Sequence, residues 1–101
     1  MSKEEFEELL NKDSKNKFEV VDFWVNEKQY HDLPAIKKLT EEGATKEEII
    51  YIPMKKVYGM GCIYKVGGGG ETTTSVPIRQ ENEAIAAIKL INLIMANTNF
   101  L

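Results

Sequence analysis

A chain of 101 residues with 43% apolar and 29% charged side chains has the size and composition of one folded domain, residues 1–101, rather than of a disordered tract. Its net charge of −3 gives no overall attraction to nucleic acid phosphates or anionic lipid. One cysteine, Cys62, and one histidine, His31, exclude an internal disulfide, cysteine-rich metal sites and paired-histidine zinc sites.

The acidic start, Met1-Ser2-Lys3-Glu4-Glu5, lacks the basic and apolar regions of a secretory signal. Ser2 and Glu5 instead form a capping box, and Phe6, Leu9 and Leu10 fall on one face of a helix ending near Asn11. Residues 11–17 contain no apolar side chain and read as an exposed loop.

Residues 18–25 are rich in Val, Phe and Trp and predict a strand. Strict alternation places Phe18, Val20, Asp22 and Trp24 on one face, and Glu19, Val21, Phe23 and Val25 on the other. Both faces are largely apolar, so the strand is expected inside the sheet. Residues 26–33 read as a polar connection. Pro34 suits a first helical turn, Ala35, Ile36 and Leu39 give a short apolar stripe, and Gly43 suits the C′ position.

Thr45-Lys46-Glu47-Glu48 is a second capping box. Residues 49–52 either continue that helix or open a strand, and Pro53 ends whichever forms. The pair of helices superficially resembles helix-turn-helix, but Glu47 and Glu48 stand where phosphates would be met, and DNA reading is rejected. Residues 56–66 alternate, with Tyr58, Met60, Cys62, Tyr64 and Val66 on one face. The other carries Val57, Gly59, Gly61, Ile63 and Lys65. The bare positions at Gly59 and Gly61 are expected to receive the alanines of the last helix, Ala84 and Ala87. Four glycines at 67–70 predict a turn, and the β-prone residues 71–78 pair back as a hairpin with Pro77 near a sheet edge.

The last helix is expected over about residues 80–97. Between Ala84 and Ala96 only Lys89 and Asn92 are polar, and at about 100° per residue the large apolar side chains leave no gap wider than about 80°. The run is too short to span a bilayer, which needs about 20 residues. Leaving two or three such side chains in water forgoes about 1.5–3 kcal/mol each. A homo-oligomer joined through residues 84–96 is therefore expected; the alternative is a monomer whose sheet and earlier helices surround the helix. The fold class is α+β, with a small antiparallel or mixed sheet of three or four strands and helices mainly on one face.

The candidate binding residues follow from chemistry. Arg79, the only arginine, offers a planar fork to a phosphate or carboxylate just before a helix N-terminus; a salt bridge to Glu81 or Glu83 is the alternative. Gly68 and Gly69, with Lys65 and Thr73 beside them, can cradle an anion with backbone N–H groups, although no P-loop pattern follows and a plain turn explains the glycines. Asp22 interrupts an apolar face and is either a ligand-binding acid or partnered by Arg79 or a lysine, unless it lies near a sheet edge. Cys62 reads as an inert core residue, and His31-Asp32 as a loop pair rather than a catalytic one.

The expectation is a cytoplasmic, oligomeric binding or regulatory protein holding a small anionic ligand, a nucleotide or acid metabolite, near a subunit interface. The alternative is an acidic interaction protein that docks on a larger protein and regulates or inhibits it. An enzyme is the least supported class, since no nucleophile–base set, metal cluster or cofactor fingerprint is present. No cofactor, nucleic acid or membrane partner is expected.

Overall fold

The computed structural model describes residues 1–98. In chain order the elements are α1 (Lys3–Asn11), β1 (Phe18–Tyr30), α2 (Leu33–Glu41), α3 (Lys46–Ile50), β2 (Lys55–Val66), β3 (Thr72–Gln80) and α4 (Glu83–Thr98). The strands form one antiparallel sheet in the order β1-β2-β3, so the fold is α+β.

Local chemistry sets the helix starts. The Ser2 hydroxyl accepts from the Glu5 N–H at 3.1 Å, Asp32 accepts from the Ala35 N–H at 3.2 Å, and Thr45 accepts from the Glu48 N–H at 3.3 Å. Gly43 lies just past α2 with φ of 82°, a left-handed conformation that glycine adopts without strain. Residues 46–50 are helical, which resolves the helix-or-strand alternative at that point.

One face of the sheet is covered. Phe6 and Leu10 of α1, with Ala86, Ala87, Leu90 and Ile94 of α4, pack over Phe18, Val20, Met60, Cys62, Tyr64 and Val76. The core face of β2 is the one its alternation indicated. Cys62 is fully buried, and burial pushes its thiol up to about 11, leaving it protonated and unreactive at neutral pH.

Two expectations are corrected, and one alternative is resolved. First, β1 is an edge strand, not an internal one, and it runs on to Tyr30 through residues expected to form a connection. A bulge between Val20 and Asp22 shifts its register, so that Val20 faces Tyr64 and Phe23 faces Cys62. The extra residue slips the alternation by one. Phe18, Val20, Phe23 and Val25 therefore contribute to one core, and the apparent pair of apolar faces is one face interrupted.

Second, the alanines do not fill the space over Gly59 and Gly61. The Trp24 indole lies over Gly61, and Ile78 lies against Gly59. Ala87 is buried in the helix-covered core, while Ala84 is exposed. Of the alternatives for Asp22, the sheet-edge position holds: it is exposed, at the bulge of the edge strand. Its carboxylate accepts from the Phe23 N–H at 2.8 Å.

The exposed edge of β1 is partly closed by α1. The Asn11 side chain accepts from the Phe18 N–H at 2.8 Å and donates to the Phe18 carbonyl at 3.0 Å, as a neighbouring strand would. The Glu7 carboxylate accepts from the Val20 N–H at 2.8 Å. These bonds blunt part of an edge that would otherwise pair with another chain.

The molecule measures 61 × 23 × 20 Å, with a radius of gyration of 18.7 Å. A compact chain of 100 residues has about 13 Å. The excess length comes from β1 and β2, whose pairing continues beyond the end of β3 to Tyr30 and Lys55 and carries α2 and α3 at its tip.

Candidate functional site

The residues singled out for anion binding lie in separate places. Gly68 and Gly69 are in the β2–β3 turn, where Gly67 and Gly68 have φ of 55° and 80°. Lys65 pairs with Glu19 across β1–β2, and Thr73 pairs with Ile63 across β2–β3. Arg79 lies at the far end of β3, six residues from Thr73 or about 20 Å of extended chain. Within one chain the glycine turn and Arg79 do not converge. Asp22 pairs with Ile63, which pairs with Thr73 on its other side, so Asp22 lies across the central strand from Thr73 and away from Arg79.

The glycine turn adjoins the C-terminal end of α4. Gly69, Gly70, Asn97 and Thr98 line a shared depression of about 290 Å³. A helix C-terminus carries partial negative charge, which opposes an anion. At the other end of α4, the Asn82 side chain accepts from the Ile85 N–H at 2.9 Å, and the Met1 amino group is ion-paired with Glu83. That helix N-terminus is already served by its own chain. Among the described residues, Arg79 makes no ion pair with Glu81 or Glu83.

Arg79 instead belongs to the uncovered face of the sheet. Opposite Gly59, β3 carries extra residues, since Tyr58 pairs with Gln80 but Met60 pairs with Val76. Pro77 sits in this irregularity, where its missing N–H breaks no regular ladder. Arg79 and Ile78 there line a shallow depression with Lys28, Tyr30 and Val57, of about 390 Å³. Sequence reasoning missed Lys28 and Tyr30 because they lie in a polar stretch with no strand periodicity. Their place depends on pairing with β2.

A second feature stands at the tip of the arm. No residue of α2 or α3 is buried. Leu33 is 70% exposed, Ile50 76% and Tyr51 82%. Ile36, Ile49, Ile52 and Met54 line an adjoining groove of about 420 Å³. His31 and Asp32 also border this groove, but Asp32 is engaged as the α2 cap and in an ion pair with Lys55 at 3.8 Å.

A third exposed surface is the outer side of α4. Its inner side packs on the sheet, leaving Ile88 58% and Leu93 41% exposed on either side of the exposed Lys89 and Asn92. Among the described residues no helix is long and apolar enough to cross a membrane, and no three His, Cys, Asp or Glu side chains are grouped to hold a metal ion.

No protein-family model, curated protein or solved structure matches this chain.

Proposed function

We propose that this chain is a cytoplasmic interaction protein that docks on a larger protein through the α2–α3 tip and thereby regulates it. The observation that carries this reading is the exposure of Leu33 and Ile50, on two helices that bury none of their own residues, and of Tyr51, the C-cap of α3. Nine- and five-residue helices are too short to be stable alone. Burying each large side chain against a partner contributes about 1.5–3 kcal/mol. Lys37, Lys38 and Lys46 with Glu41, Glu42, Glu47 and Glu48 give the apolar tip a polar rim.

The double variant Ile50→Asp, Tyr51→Ser is expected to keep the wild-type melting temperature, because both side chains are in water. It is expected to lose the protein that co-purifies with the wild-type chain, with an affinity drop of a hundredfold or more from about 3 kcal/mol of lost contact. Equal recovery of that protein by the variant rejects the tip as the docking surface.

A second reading, self-association through residues 84–96, is favoured by the exposure of Ile88 and Leu93 on the outer side of α4. An isologous pairing of two such helices buries Ile88 or Leu93 twice, and both only where Lys89 and Asn92 between them also find partners. Sedimentation is expected to give an oligomer that Ile88→Asp with Leu93→Asp converts to the 11.5 kDa chain. A wild-type chain that sediments at 11.5 kDa at high concentration removes this reading.

A further inference from the structure

We infer that the uncovered face of the sheet, at the irregularity in β3, binds a small organic anion between Lys28 and Arg79. The depression there, about 390 Å³, falls in the range of small-ligand sites, roughly 300–1,000 Å³. Lys28 comes from one edge strand and Arg79 from the other, with Val57 of the central strand between them. Two inter-strand spacings put their backbones about 10 Å apart. Both side chains are long enough to reach one ligand across that distance.

Charge identifies the ligand. No acidic residue lines the depression, and among the described residues neither Lys28 nor Arg79 has a carboxylate within 4.0 Å. An anion between them gains two charge-assisted contacts. The guanidinium fork suits the two oxygens of a phosphate or carboxylate.

The remaining lining is apolar or aromatic. Val57 forms the floor, with Ile78 and the Tyr30 ring beside it. The site therefore takes a dianionic head, a phosphate monoester or paired carboxylates, on a flat apolar body. Gly59 helps to form it, because Ile78 occupies the space that a side chain at Gly59 would need.

The test is titration of the full chain with phenyl phosphate and with phthalate, followed by amide NMR shifts, with inorganic phosphate and benzyl alcohol as controls. Saturable shifts are expected at Val57, Ile78 and Arg79 for one or both aromatic anions below about 10 mM. Inorganic phosphate and benzyl alcohol are expected to bind about tenfold more weakly or less. The tighter of phenyl phosphate and phthalate identifies the headgroup. Arg79→Gln and Lys28→Gln are each expected to weaken binding about tenfold or more, the usual effect of losing a charged contact, without lowering the melting temperature. No saturable shift, or shifts unchanged in Arg79→Gln, overturns the assignment. Equal affinity for phosphate and phenyl phosphate overturns the apolar part of it.

Discussion

Phe6→Ala is expected to destabilise the protein by about 3–5 kcal/mol, a large share of the roughly 5–15 kcal/mol that holds a domain of this size together. Phe6 is fully buried and stacks on Phe23, with ring centroids 4.9 Å apart and an interplanar angle of 21°. Its removal takes away the apolar transfer energy and leaves a cavity. A further consequence is specific to this fold. The nine-residue α1 is held by Phe6 and Leu10 and by the bonds from Glu7 and Asn11 to β1. A helix of that length does not persist undocked. Its release would uncover the Phe18 and Val20 backbone on the sheet edge and favour aggregation. Urea unfolding measures the loss. Leu9→Ala, at a position 43% exposed on the same helix, is the control and is expected to change stability by less than about 0.5 kcal/mol. Equal, small losses for the two variants would show that α1 is not anchored through Phe6.

Gly59→Ala is expected to cost about 1–3 kcal/mol and also to weaken the anion site at Arg79. A Cβ at Gly59 would lie 2.8 Å from Ile78 Cγ1, 3.0 Å from the Ile78 nitrogen and 3.1 Å from its Cα. Backbone atoms cannot swing aside, so β3 must move from β2 where the extra residues are accommodated. Gly61 presents the contrasting case. A Cβ there would overlap the Trp24 indole, but that ring is only half-buried and can rotate outward. Gly61→Ala should therefore expose Trp24, the only tryptophan, and shift its fluorescence to the red. Adding Trp24→Ala to Gly61→Ala should then cost less than Trp24→Ala alone, because the contact is already lost. Denaturant midpoints and emission spectra of the variants check both statements. A Gly59→Ala protein with wild-type stability would mean that the two strands have slack at this point. An unshifted spectrum in Gly61→Ala would mean that the indole stays in place.

Much of the fold is legible residue by residue because its determinants are local. Ser2 with Glu5 and Thr45 with Glu48 mark helix starts through bonds spanning three residues, and Gly43 and the glycines at 67–70 mark places where the chain turns. The core face of β2 follows from alternation because β2 lies in the middle of the sheet with its core-facing residues in an unbroken period. The apolar circumference of α4 is equally visible. The sheet covers only its inner side, so the outer Ile88 and Leu93 remain in water.

What tertiary structure decided involves residues far apart in the chain. One extra residue near Val21 slips the alternation of β1, and the sequence around it carries no local mark of where the slip occurs. The polar stretch from Asn26 to Tyr30 becomes strand only because Lys55 to Gly59 lies alongside to supply hydrogen bonds. Lys28 and Arg79 become neighbours solely through the order β1-β2-β3. Short-range chemistry thus determines the helix starts, the turns and the core face of β2, whereas the extent of β1, the registers and the shared surfaces depend on which backbone donors and acceptors find each other once the chain has closed on itself.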